Sequence, residues 1–368
     1  MAVSITQTYH QLKYLIGGFI LYAALSCNPG ADLTHHITVD SLTVRFDMEQ
    51  VYDDYSWVNG ADFMSINDTP HLCVYDAATN NIILANIYKD TPMLKFPIAG
   101  EMDAFWTKGN IIEYIDKNDL SKVHTISIDK YNAHKWTLGA YTIPRLFNDS
   151  FFIASIYLSK VTALKNNELL IPYRVRNETP NLLDTFAYIY LKEENGVLKD
   201  HKLFKNPSML MEEYEYLRFP ICAYDSINET LFYTFHKGDR LYAYSFKDHA
   251  TKSKKLDPLV TKKFDAKPND LTFLRKYLKD NDKIERIVVT PKGSIYLFIT
   301  NNSHSKSKST IIVYNDHLVK IAELKLKEQL DPSIAFIRNE KVYIYKSSSH
   351  HQFYAFDLSP VHDGLPKE

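Results

Sequence analysis

Ile287-Val288-Val289, Pro291-Lys292-Gly293, Ile295-Tyr296-Leu297-Phe298-Ile299, a polar run, Ile311-Ile312-Val313-Tyr314, Asn315-Asp316, Leu318 to Leu326: the stretch from Glu285 to Leu326 decides the fold. Four short apolar runs are separated by turn residues. Val, Ile, Tyr and Phe fill the runs, and Gly, Pro, Asn and Asp fill the gaps. That is the pattern of a four-stranded antiparallel meander, the unit of a β-propeller blade.

Loose copies of the pattern extend in both directions. Upstream, Phe63–Ile66, Leu72–Tyr75 and Ile82–Ile87 form one group, split at Asn67-Asp68-Thr69-Pro70 and at Asp76 to Asn81. Met93–Ile98, Ala104–Trp106, Ile111–Ile115 and Val123–Ile128 follow, with a tight turn at Gly109-Asn110. Trp136–Ile143 and Phe151–Leu158 open a third group, which continues to Phe204 and holds more strands than one blade needs. Phe219–Tyr224, Leu231–Phe235, Leu241–Phe246 and a Lys-rich segment make a fourth. Downstream, Ile334–Ile337, Val342–Tyr345 and Phe353–Phe356 are one strand short of a blade.

An isolated alternating segment, Ile37 to Phe46, precedes the repeats, with a phase change at Asp40-Ser41 that suggests a bulge. A ring must close, and an unpaired strand edge is a hazard. The economical reading is that this first strand completes the last blade. The fold class is therefore all-β: one propeller over residues 36–360, with six blades expected and seven the alternative. No long Gly/Ser- or Pro-rich linker divides it. One helix is expected outside the blades, at 269–279, where Leu271, Leu274 and Leu278 share a face.

Composition agrees. The chain has 368 residues, with 26 Tyr and 20 Phe against 3 Trp, a bias that suits half-buried pleated surfaces. Formal net charge is −1, so no global field draws it to nucleic acid. Lys252, Lys254, Lys255, Lys262, Lys263 and Lys267 form a basic run with Phe264 as its one interleaved aromatic residue, and His304 to Lys308 another; both read as solvated loops. Cys73 and Cys222 lie in apolar runs and read as buried thiols, with a disulfide between them the alternative.

The first 26 residues read as an address. Lys13 is the only Lys or Arg before the twelve-residue apolar stretch Tyr14–Leu25. A spanning helix needs about 20 residues, so the stretch fits the h-region of a secretory signal. It ends in Ala24-Leu25-Ser26-Cys27, which resembles a bacterial lipobox, with Cys27 as the lipidated residue; Ala24 stands where Leu is usual. An uncleaved anchor and an ordinary signal are the alternatives. Residues 27–35 then read as a tether and 361–368 as a tail. Only one acid, Asp32, follows Cys27 before Leu33, which favours an outer-membrane lipoprotein facing the periplasm.

Ser26-Cys27-Asn28, the Tyr/Lys/Asn-rich β chain and the loose repeats together resemble a family of uncharacterised Bacteroidota lipoproteins with a six-bladed, TolB-like propeller. The resemblance covers about residues 27–360 and implies an envelope-located propeller. It carries over no catalytic residue.

Motifs for chemistry are sparse. G-x-S-x-G, H-E-x-x-H, Walker-type loops and C-x-x-C are all missing from the sequence. Adjacent His side chains on a strand diverge, so His35-His36 and His350-His351 read as surface residues. No cofactor or metal is expected. The dense segment Glu212 to Arg218 precedes the run Phe219–Tyr224, as Glu285-Arg286 precedes Ile287–Val289, and Glu101 and Asp103 precede Phe105-Trp106. Each sits where an innermost strand begins, near one mouth of the central channel. Arg218, Arg286, Glu215, Tyr216, Glu285, Glu101 and Asp103 are therefore the candidate ligand-binding residues. Arginine grips carboxylates or phosphates in bidentate fashion, and tyrosine stacks on sugars or peptide side chains. The plainer alternative is that these charges knit blades together. By function, the chain reads as a membrane-anchored binding or scaffolding propeller for a glycan, a peptide or an envelope protein. The alternative is a carbohydrate-active hydrolase or lyase with residues gathered from several blades.

Overall fold

The computed structural model describes residues 39–43, 61–76, 79–86, 94–98, 100, 102–116, 118–143, 151–153, 161–165, 168–175, 186–194, 197–205, 220–259, 280–302, 308–327, 329–338, 340–346 and 352–356. They build six antiparallel sheets. The chain opens with β1 (Val39–Thr43) and then enters blade 1: β2 (Ala61–Ile66), β3 (Thr69–Asp76), β4 (Asn81–Asn86) and β5 (Leu94–Pro97). Blade 2 is β6 (Met102–Lys108), β7 (Ile111–Asp116), β8 (Asp119–Ile128) and β9 (Trp136–Thr142). Blade 3 holds β10 (Phe151–Ile153), β11 (Thr162–Ala163), β12 (Leu169–Val175), β13 (Phe186–Glu194) and β14 (Val197–Lys205). Blade 4 is β15 (Pro220–Asp225), β16 (Thr230–Phe235), β17 (Arg240–Ser245) and β18 (Ala250–Lys255). Blade 5 is β19 (Lys283–Val289), β20 (Ile295–Thr300), β21 (Ser309–Tyr314) and β22 (Lys320–Leu326). Blade 6 is β23 (Leu330–Arg338), β24 (Lys341–Lys346) and β25 (Gln352–Phe356), with β1 as its fourth strand.

The first strands of the blades form the inner ring: β2 lies against β6, β6 against β11, β15 against β19, β19 against β23, and β23 against β2. The fold is a six-bladed β-propeller. Its closure is the expected one, β1 running antiparallel to β25 with Val39 opposite Phe356 and Thr43 opposite Gln352. The pairing passes through Asp40 and Ser41 without a break, so the phase change there is not a bulge.

The surplus strands of the third group have a simple explanation. Trp136–Thr142 is the outer strand of blade 2, not the start of blade 3. The inner strand of blade 3 is split: β10 pairs with Tyr173–Val175 and β11 with Leu169–Leu170, along one edge of β12. Six blades result. The Lys-rich run also changes status in part, because Lys252, Lys254 and Lys255 lie on β18, an exposed outer strand. The expected helix at 269–279 and the His pairs lie outside the described residues.

Blade 5 shows why its strands read as unbroken apolar runs. Every residue of β20 and β21 is buried. Tyr296, Phe298, Ile311 and Val313 face blade 6, where they meet Val342, Ile344 and Phe356. Ile295, Leu297, Ile299 and Ile312 face blade 4, against Phe232 and Leu241. A sheet packed on both faces needs apolar residues at every position, so alternation is lost. Blades 1 and 2, 2 and 3, and 3 and 4 share cores in the same way. Phe63 and Phe336, ring centroids 4.8 Å apart, join blade 1 to blade 6. Both cysteines are free thiols, Cys73 fully buried and Cys222 partly so; the disulfide alternative fails.

Candidate functional site

An even number of antiparallel strands returns the chain to the end where a blade began. All six inner strands therefore start at one face, and the two faces differ. At the far face, neighbouring strands are joined by turns such as 67–68, 109–110, 226–229 and 290–294. Asn67 and Asp68 have φ of 49° and 56°, the mirror-image turn that suits a twisted hairpin. Gly109, at φ +60°, supplies the same handedness. At the starting face, the described strand ends are separated in sequence by residues 44–60, 143–150, 176–185, 206–219 and 256–282. Long connections on one end of a rigid scaffold are where binding residues concentrate.

Buried polar side chains gather at the same end of blades 4 and 5. Thr234, His236, Asn281, Asp282, Thr300, Asn301, Ser309 and Thr310 are all buried there. They are bonded across strands and blades. The Ile284 N–H donates to His236 O at 2.9 Å, and His236 Nδ1–H donates back to Ile284 O at 2.6 Å, bracketing blade 4 to blade 5. Asn301 Nδ2 donates to Thr310 Oγ1 at 2.6 Å, and Leu330 N to Ser309 Oγ at 3.0 Å.

Glu285 sits in this cluster on a bulge. Pairing steps from Ile284 opposite Ile299 to Arg286 opposite Phe298, leaving Glu285 extra. That restores phase, so Ile284 and Ile287, three apart, both enter the core facing blade 4. Asp103 occupies the matching place in β6. There the register steps from Met102 to Ala104, and Met102 and Phe105 share one core. Bulges of this kind re-aim a side chain at a strand end. The expected equivalence of Asp103 and Glu285 is therefore a shared backbone feature. Arg286, however, is matched by Ala104, so the ring of charges is not uniform.

The partner of Glu285 is Lys283, which the sequence reading passed over. Lys283 Nζ lies 2.7 Å from Glu285 Oε1, with side chains 18% and 23% exposed. Thr300 Oγ1 donates to the same oxygen at 3.1 Å. Burial by itself raises the Glu285 carboxyl pKa, but the charges of Lys283 and His236 and the bonds from Lys283 and Thr300 outweigh it and hold the group below its ordinary value. A folded pKa below the unfolded one adds stability above the usual carboxylate range, and that stability is lost as pH falls through the folded value. The gap in melting temperature between wild type and Glu285→Gln should therefore be widest near neutrality and close on acidification below about pH 4. A gap independent of pH would show that the carboxylate is not ionised in the fold.

Arg286 is half-buried, and its charge reaches Cys222 on β15. Burial raises the Cys222 thiol pKa, and Thr162, Tyr188 and Arg286 pull it part of the way back. Asp62, at the register of Arg286 in β2, is used structurally: its Oδ2 accepts from Thr107 N at 2.9 Å and Thr107 Oγ1 at 3.0 Å, tying blade 1 to blade 2. Glu101, Glu215, Tyr216 and Arg218 lie outside the described residues, as does the side chain of Asp103. Among the described residues, no group of His, Cys, Asp and Glu has the arrangement of a metal site. His236, Asn281 and Asp282 belong to no motif in the sequence, and His236 lies on another blade.

Among known proteins, no family model and no curated protein matches the chain. Solved structures do. A member of the DUF4221 family from Bacteroides vulgatus matches at a TM-score of 0.60 with 13% identity, covering 87% of this chain and 96% of that one. A Bacteroides fragilis protein described as exported matches at 0.49 with 14% identity, over 84% of each chain. Virginiamycin B lyase from Staphylococcus aureus matches at 0.46 with 10% identity, over 87% of this chain and 99% of that one. The first shows the fold. The other two likenesses are too slight to add to it.

Proposed function

We propose that the chain is a membrane-anchored envelope lipoprotein whose propeller binds a glycan, a peptide or a partner envelope protein at the mouth where the inner strands begin. One observation carries this reading: the long connections and the buried polar network of blades 4 and 5 share one face, while tight turns dominate the other. Glu285, fixed by Lys283 and Thr300, serves as a rigid acceptor for ligand hydroxyl or amide groups. Arg286 and Arg218 supply donors for an acidic group. Tyr216 and Glu215 bring a stacking surface and a further acceptor from the 206–219 connection, and Glu101 and Asp103 approach from blade 2. Binding is preferred to hydrolysis or elimination because the Glu285 carboxylate is already engaged by two donors, which suits a fixed contact better than proton transfer.

The test uses the full chain in detergent, screened on glycan and peptide arrays. Arg218→Ala should weaken the best hit about tenfold or more while melting within about 2 °C of wild type. A variant that melts far lower yet binds normally would instead make Arg218 a structural tie between blades.

The address is proposed on residues 14–27, which places the propeller on the outer membrane facing the periplasm. Mass spectrometry of the native amino terminus should find Cys27 as the first residue with acyl mass. An intact Met1, or cleavage elsewhere without lipid, would contradict it.

A further inference from the structure

We propose that the outer edge of blade 2 is a docking site for an extended partner segment that adds a strand to β9. The partner segment is uncharged along its core and carries an acid at one end. An outer strand presents a row of unpaired N–H and C=O groups, and proteins blunt such edges with charge, proline or brevity. Five blades do so: the four-residue β5 ends in Pro97, Lys202 lies on β14, Lys254 on β18, Lys325 on β22, and Asp40 on the five-residue β1. β9 does not. Its seven residues, Trp-Thr-Leu-Gly-Ala-Tyr-Thr, include no charge and no proline, and all but Tyr141 are exposed.

The edge is also open in the bonding sense. Ile143 N–H donates to Ser121 O, so the odd-numbered residues of β9 direct their backbone toward β8. The alternating residues Trp136, Leu138, Ala140 and Thr142 then direct theirs outward. Among the described residues, β9 pairs with β8 alone. Leu138 is 65% exposed and Trp136 39%, with Tyr131, 74% exposed, in the turn leading in. Phe96 fixes Trp136 by an edge-on contact at 5.4 Å. An open edge beside a row of apolar side chains is the surface that strand addition uses.

Charge chooses the occupant. Exposed Lys130 and Lys135 flank the Trp136 end, with Lys130 Nζ 5.6 Å from the Tyr131 ring. Exposed Lys122 lies opposite Thr142 at the other end. A second copy paired antiparallel about Gly139 would bring Lys135 of one chain toward Lys122 of the other. An apolar segment with an acid beyond one end meets Lys130 and Lys135 instead.

The probe is a synthetic ten-residue peptide with an alternating Val/Thr core and two Asp at one end, added to the full chain in detergent. Hydrogen exchange across residues 136–142 should slow, and Leu138→Lys should weaken binding about tenfold or more. Proline in the peptide core should abolish the protection. Lys135→Glu should reverse the preference between Asp-ended and Lys-ended peptides. The proposal is overturned if exchange in β9 is unchanged by peptide, or if Leu138→Lys and wild type bind alike. It is also overturned if the peptide-free chain forms a dimer that Leu138→Lys dissolves, since β9 is then a self-pairing edge.

Discussion

Deleting residues 37–47 should lower the melting temperature by roughly 10 °C or more and expose an aggregating edge. The deletion removes β1, and with it the fourth strand of blade 6. β25 then loses its outer partner along Gln352–Phe356. Phe356 is 1% exposed and shares a core with Phe298, Ile311 and Val313 of blade 5, so the damage reaches the neighbouring blade. Blade 6 also packs on blade 1 through Phe336, which stacks on Tyr343 at 4.6 Å and touches Phe63. Replacing 37–47 by a flexible chain of equal length separates strand loss from loop loss. Both variants should melt alike, far below wild type. An unchanged melting temperature in either would mean that β1 does not hold the ring closed.

The second large effect is expected inside the ring, at Trp106. Its ring is buried in the core between blades 2 and 3, and Nε1–H donates to Glu113 Oε2 at 2.6 Å. Glu113 is itself buried, and Tyr141 is its second donor. Burial first, and then the Glu113 charge, push the Tyr141 phenol far above its ordinary pKa, so that donor persists across the accessible pH range. Trp106→Phe removes packing volume and leaves a buried carboxylate one donor short. The cost should be about 3 kcal/mol, read from the urea midpoint at constant slope. Adding Glu113→Met to Trp106→Phe should recover part of it, because the stranded charge is then gone. Equal costs for the single and double variants would assign the whole effect to packing.

Much of the architecture was legible, for a reason seen in blade 5. Residues packed on both faces announce themselves as apolar runs, and turn residues mark their ends. Closure was legible by counting strands, since three at one end and one at the other complete a blade. The boundary between blades 2 and 3 was not. β9 is an outer strand with an inner strand's composition, and the inner strand of blade 3 is cut in two, so the usual contrast between inner and outer strands fails there. β18 could be placed only by its position after three strands, because a strand exposed along its whole length has no apolar period to detect. At the site, position along the chain pointed to Asp103 and Glu285. Lys283 and Thr300 could not be found that way. Their roles depend on which strands lie side by side around the bulge, and nothing in Asn281-Asp282-Lys283 separates a buried turn from a solvated one.

The central claim is that ligand binds at the mouth where the inner strands begin. Hydrogen exchange of the full chain, with and without the best array hit, tests it most directly. Protection should fall on residues 281–286 and 206–219 and leave the turns at 67–68, 109–110 and 226–229 unchanged. Protection confined to those turns, with none at 281–286 or 206–219, would contradict it.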